Sequence, residues 1–244
     1  MRKGTQMIRK LIVLATAALL SGCVTAATQF EQDVPIGRVF SDKITMPQGD
    51  VLLPPGDWTV VGQSITRNNH YQAFGHTALA RIDDDHNLNG LVFLMTALET
   101  PLGFSFYSTD HCNPDEKDIY FEKVANRDLG RQICFYIDNW STWPAAETDG
   151  VFRQADVYLT SKAIDRPDSM LFSVHRIVRR NKFLIAEYGF DYREPVDVAF
   201  PGYTPADTSV TKDLYSNPRW QKNLDNVIAW SREKQDLIAS ELLD

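Results

Sequence analysis

The chain has 244 residues, 43% of them hydrophobic, and carries 32 Asp and Glu against 25 Lys and Arg, a formal net charge of −7. That length suffices for one large domain with an ample core. The acidic excess argues against a nucleic-acid partner, whose affinity comes from neutralised phosphates. No phosphate-cradling Gly loop, H-E-x-x-H or G-x-S-x-G run is present, so no nucleotide, metal or serine-hydrolase signature stands out.

Taken in chain order, the first element is an export signal. Arg2, Lys3, Arg9 and Lys10 flank an apolar run from Leu11 to Leu20. A basic flank, a short apolar core and small residues at its end are the parts of such a signal. The run is too short to cross a bilayer, which takes about 20 residues. It closes on Leu20-Ser21-Gly22-Cys23, and this order resembles the lipobox of bacterial lipoprotein precursors. The resemblance implies a signal peptide over residues 1–22, a diacylglyceryl group on the Cys23 thiol, cleavage before Cys23 and acylation of the new amino group. Two or more acyl chains hold a protein stably where one is marginal. Val24 stands where an Asp would signal retention in the inner membrane, so the resemblance favours the periplasmic face of the outer membrane. Cleavage removes four basic residues and no acidic ones, which raises the acidic excess from 7 to about 11.

Residues 23–35 read as a lipidated tether, polar, without periodicity and ending at Pro35, with a single globular domain over 36–244. Strand-like runs follow at Gly37 to Thr45, Trp58 to Gly62, Thr77 to Ile82, Leu91 to Leu98, Gly103 to Ser108, Gln132 to Ile137, Ala155 to Thr160, Leu171 to Val178 and Phe183 to Tyr188. Met46 to Asp57, with Pro47, Pro54, Pro55 and Gly56, reads as a loop. Short apolar or alternating runs between turn residues indicate antiparallel strands. Leu171 to Ile185 reads as a hairpin whose basic tip holds Arg179, Arg180 and Lys182, with Arg176 nearby. The last segment differs. Pro218 suits a first helical turn, and Trp220, Leu224, Val227, Ile228, Ile238 and Leu242 recur near helical period. This is an amphipathic helix of about 25 residues laying one face on the sheet. Strands followed by a helix give an α+β class, mostly antiparallel sheet with a long C-terminal helix packed on it.

With Cys23 assigned to the anchor, Cys112 and Cys134 form an even pair in an oxidising compartment, so a disulfide is the expected state. Asp85-x-Asn87-x-Asn89-Gly90 matches the first half of a calcium loop. Thr96 stands where the bidentate Glu belongs, and a polar hairpin turn accounts for the same residues. Trp140 and Trp143, beside Asn139 and Asp138, are candidate binding residues that could stack on a sugar ring and bond its hydroxyls. Tryptophans packing at a strand end are the competing reading. The run Leu53-Pro54-Pro55-Gly56-Asp57-Trp58, Cys112-Asn113 with Cys134, and a terminal helix with Trp230 are similar to secreted or lipid-anchored proteins of Gram-negative bacteria, over residues 50–240. That resemblance carries no activity with it.

These readings converge on a lipid-anchored envelope protein that binds another protein or a glycan. No catalytic, metal or cofactor set is assigned. The alternative is a periplasmic hydrolase whose site assembles from loops, with His70, His76 and Asp110 as its residues.

Overall fold

A computed structural model describes residues 25–106, 112–113, 119–127, 131–140, 150–167, 170–191 and 218–243. Cys23, Asp110 and Trp143 lie outside them. The described residues form one eight-stranded antiparallel sheet: β1 (Val39–Met46), β2 (Gly49–Arg67), β3 (Ala73–Ile82), β4 (Leu88–Ala97), β5 (Tyr120–Arg127), β6 (Arg131–Trp140), β7 (Met170–Arg179) and β8 (Lys182–Phe190). Three helices accompany it: α1 (Ala26–Asp33), α2 (Val151–Ser161) and α3 (Pro218–Leu243). The class is α+β, with the C-terminal helix packed on the sheet, as expected.

Strand order is β1-β2-β3-β4-β8-β7-β6-β5. Two four-stranded meanders therefore meet where β4 pairs with β8, Val92 opposite Tyr188 and Leu94 opposite Ala186. The β2–β3 and β7–β8 turns fall at one end of the sheet, called here the hairpin end. The β3–β4 turn and the α2 connection fall at the opposite end.

Period-two alternation sorts the side chains into two layers. One face holds Leu79, Val92, Leu94, Phe135, Ile137, Ile177, Leu184 and Tyr188, in one core with Phe30 of α1 and Leu224, Val227 and Ile228 of α3. The other holds Ala78, Ala80, Leu91, Phe93, Phe172 and Val174, in part under Val151, Ala155 and Leu159 of α2. Because both faces are buried, the central strands read as nearly unbroken apolar runs rather than alternating ones.

The run Met46 to Asp57 is not a loop. Its residues pair with β1, Ile44 opposite Val51 and Met46 opposite Gly49. Asp42, at φ 64°, and Gly56, at φ 115°, kink the two strands where the pairing slips. Beyond that kink the hairpin folds back as an arm across the α3 face. Its Leu52 carbonyl accepts from the Tyr188 hydroxyl at 2.9 Å. At its tip, the Gln48 side chain donates to Asn181 O at 3.0 Å and accepts from Phe183 N at 2.9 Å. The prolines survive because the register shift leaves that stretch outside the ladder.

The expected tether is also partly structured. Thr25 Oγ1 accepts from Thr28 N and caps α1, a standard use of a hydroxyl at that position. Phe30 and Val34 are each 1% exposed, so α1 belongs to the globular body. The Phe30 ring lies so close to Gly75 that a β-carbon there would sit 2.9 Å from it. Ala155 to Thr160 is helical, inside α2, rather than a strand. Strand β5 was not foreseen. Residues 103–106 are not a strand; Phe104 N bonds Pro101 O in a turn.

Candidate functional site

The residues singled out in the sequence do not gather in one place. His70 is exposed in the β2–β3 turn. His76 lies on β3, where Thr66 Oγ1 is 2.8 Å from its Nε2 and burial lowers its pKa. No described contact joins the two histidines, and Asp110 is outside the described residues. Asn139 and Trp140 close β6, opposite Leu171 and Met170; their side chains, like all of Trp143, are not among those described. Cys112 and Cys134 stand at disulfide distance, with Cα atoms 5.8 Å apart. In the half-matched calcium loop, both Asp83 oxygens are engaged. Oδ1 accepts from Asn87 N at 2.7 Å and Asp85 N at 3.0 Å, and Oδ2 from Asn87 Nδ2 at 3.1 Å. The Asn87 backbone N–H is the main cause of a lowered Asp83 pKa. This is an Asx-type turn joining β3 to β4.

The strongest chemical feature is one that sequence reading passed over. Glu187 projects from β8 onto the α2 face, opposite Phe93 on β4 and Val174 on β7. Its Oε2 is shielded from solvent and has no hydrogen-bond partner. Burial disfavours the charged form and raises the carboxyl pKa to about 7, and the neighbouring Asp138 charge pushes the same way. Two further polar groups share this face of β6 and β7. Tyr136 is half-buried opposite Val174. The Arg176 guanidinium lies 5.4 Å from the Phe183 ring centroid. Burial lowers its pKa to about 10, against the opposing influence of Tyr136. Phe152 of α2 borders the area, its ring 4.5 Å from that of Phe93. Cys112 reaches it from the other side through Cys134. Among the described residues, α2 packs mainly on β2 and β3 rather than on the β6–β8 part of this face. The face combines aromatic surface with a carboxyl that titrates near neutrality and lacks a donor.

The α3 face holds a second polar group, of a different kind. Ser173 and His175 lie two residues apart on β7, so their side chains share a face. His175 Nδ1 is 2.7 Å from Gln235 Oε1, and its Nε2 is 2.9 Å from Ser173 Oγ. Ser173 Oγ is in turn 2.5 Å from Ser231 Oγ on α3. With Gln235 presenting its oxygen, the neutral ring carries its proton on Nδ1 and accepts at Nε2. Hydroxyl, imidazole and amide stand in the order of a nucleophile, base and orienting group. Substrate cannot reach them, because Ser173 and His175 are 0% exposed and Gln235 is 2% exposed. Trp230 also packs edge-on to His175, with centroids 6.1 Å apart. Burial holds the His175 pKa down to about 4. The group is a polar latch between helix and sheet.

With this geometry in hand, comparison with known proteins adds no name. No protein-family model, curated protein or solved structure matches the chain. The face around Glu187 is the site on which a function must be argued.

Among the residues of that site, Glu187 carried a readable signal. It is a lone acid in Phe183-Leu184-Ile185-Ala186-Glu187-Tyr188-Gly189-Phe190, a strand apolar on both faces. An acid in such a run must either find a partner or give up its charge. In the sequence, Asp138 stands out for its neighbours Asn139 and Trp140. Its electrostatic link to Glu187, across β7, could not be read without the strand order.

Proposed function

We propose that this chain is a lipid-anchored cell-envelope protein that binds a polar envelope ligand, a glycan or a protein segment, against the β6–β7–β8 face around Glu187. The anchor reading rests on Leu20-Ser21-Gly22-Cys23 behind its basic and apolar flanks. The binding reading rests on the unpartnered Glu187 Oε2. A shielded carboxyl oxygen without a donor is costly to maintain; Glu187 as a residue is only half-buried, so a ligand N–H or O–H that displaces its cover removes that cost. Beside Phe93 and Phe152, such a ligand also finds aromatic surface of the kind sugars and side chains pack on. The sugar reading of Asp138 to Trp143 points to the same end of β6.

The anchor is tested by labelled-palmitate incorporation with membrane fractionation, wild type beside Cys23→Ala. Loss of both label and membrane association in the variant supports it. Label retained in the variant, or absent from the wild type, removes the anchor.

A hydrolytic second reading is favoured by one observation. Burial, with a smaller push from the Asp138 charge, raises the Glu187 carboxyl pKa to about 7, and a carboxyl poised near neutrality is what a general acid in glycoside hydrolysis needs. Dye-labelled peptidoglycan released by the wild type but not by Glu187→Gln would establish catalysis. Equal, background-level release from both would leave the binding reading in place.

A further inference from the structure

Several independent bonds place one set of turns together at the hairpin end. Leu98 N bonds Ala73 O, joining the loop after β4 to the start of β3. Thr100 Oγ1 donates to Asn181 O at 2.9 Å, and Phe106 N bonds Arg180 O at 2.7 Å, tying that loop to the β7–β8 turn. Arg131 pairs with Arg179 at the start of β6.

Two of these turns hold large apolar groups out into solvent. Tyr71 is 81% exposed, and Leu102 is fully exposed. Neither is a loose side chain on a loose loop. Asn68 Oδ1 accepts from His70 N at 2.9 Å and from Gln72 N at 3.0 Å, fixing the turn in which Tyr71 adopts φ 60°. Leu102 sits in the tight turn closed by Phe104 N to Pro101 O, ahead of Gly103 at φ 79°.

Among the described residues of these turns, the charge is opposite to that of the whole chain. Arg67, Arg131, Arg179 and Arg180 are exposed there, with Lys182 half-buried beside them. Among the described residues of these turns the acidic counterpart is Glu99. On the arm, Lys43 is paired with Asp50, and Glu241, late in α3, adds a weaker pull on it. A cluster of exposed arginines on the described turns of a chain of net charge −7 suits an anionic surface.

Helix α1 says which surface. The segment after it is bound at Val60, where Gly37 N meets Val60 O at 2.8 Å. Further back along the chain, Phe30 lies against Gly75, as Leu98 does, and Gly75 pairs with Ile65. From Val60 to Ile65, β2 advances toward the hairpin end, and α1 advances with it from its C-terminus to its N-terminus. Thr25 therefore leaves the body at the hairpin end. Cys23 is two residues earlier, a reach of at most about 7 Å.

We propose that the hairpin end is a membrane-docking surface for anionic phospholipid headgroups, with Tyr71 and Leu102 entering the interface and Arg67, Arg131, Arg179 and Arg180 facing the phosphates. The position of the membrane rests on the anchor reading above; the apolar tips and the cationic rim do not depend on it. Aromatic and aliphatic groups at the headgroup boundary with basic residues around them are the usual composition of an interfacial contact. Docking at this end leaves the Glu187 face lateral to the bilayer.

The test separates surface from anchor. The described fold lies wholly within residues 25–243, so a chain starting at Val24 carries all of it without the acylated cysteine. It is co-sedimented with vesicles of phosphatidylcholine alone and of phosphatidylcholine with phosphatidylglycerol. The expected result is binding to the phosphatidylglycerol vesicles that weakens as salt is raised. Arg179→Glu with Arg180→Glu lowers it by about tenfold or more. Tyr71→Ser with Leu102→Ser, changed on exposed turn tips, lowers it while circular dichroism is unchanged. No binding to phosphatidylglycerol vesicles at low salt, or binding indifferent to both pairs of changes, overturns the proposal. Because this chain lacks Cys23, its outcome is independent of the palmitate result.

Discussion

At the scale of single residues, two buried titratable groups set opposite pH dependences. His175 has a folded pKa of about 4 against 6.5 for the free side chain. Its contribution is fully present above pH 6.5, and it is lost as pH falls toward 4, because the unfolded chain takes up the proton first. Glu187 has a folded pKa of about 7 against 4.5. Below pH 4.5 both states are protonated and nothing is lost. Between 4.5 and 7 the unfolded chain releases its proton first, so stability falls as pH rises. Each shift corresponds to about 3 kcal/mol. Glu187→Gln removes a charge that the fold accommodates badly. Denaturant unfolding should show it up to about 3 kcal/mol more stable than wild type at pH 8 and equal to it at pH 4. Equal stability at pH 8 would mean that Glu187 has a partner in solution.

At the scale of elements, legibility followed local pattern. The hairpin of β7 and β8 was readable because Arg179-Arg180-Asn181-Lys182 interrupts two apolar runs, and α3 because Leu224, Val227, Ile228 and Ile238 keep helical period. All four are now seen buried. Helix α2 was misread. Ala155 to Thr160 looks like a short strand when taken alone, whereas Val151, Ala155 and Leu159, the buried residues of that helix, recur every four residues. The arm was missed because Pro54, Pro55 and Gly56 are turn residues by composition, and only the pairing of Ile44 with Val51 shows that strand resumes before them. The site around Glu187 is assembled by the β6–β7–β8 order, and no window of sequence contains it. Packing of α2 supplies a direct check. A β-carbon at Gly62 would stand 2.5 Å from the Val151 carbonyl oxygen, which is helix backbone and cannot rotate aside. Gly62→Ala should cost about 1–3 kcal/mol, measured as a lower midpoint in denaturant. An unchanged midpoint would mean that α2 does not sit against β2 in this way.

At the scale of the whole molecule, the two pH dependences overlap. Between about pH 4.5 and 6.5 the loss at His175 and the gain at Glu187 run in opposite directions, so wild-type stability should be nearly flat there. Glu187→Gln removes one of the two, and its stability should then fall steadily with acidification across the same window. A wild type as steep as the variant would show that the two groups do not offset each other.

The folded-back arm has a consequence for how the chain would acquire its shape on the proposed route of export. Export would deliver the N-terminus first, yet Gln48 finds its partners in Asn181 and Phe183, 133 and 135 residues later. Leu52 waits for Tyr188, 136 residues on. Until those residues arrive, Ile44, Met46, Val51 and Leu53 have no β8 to lie against, and an early segment with exposed apolar groups is open to wrong pairing. A chain fixed to a bilayer by its first mature residue would spend that interval with its least protected hairpin close to the lipid surface. Its assembly would then depend on the last third of the chain arriving promptly, or on a chaperone shielding residues 42–53 until it does.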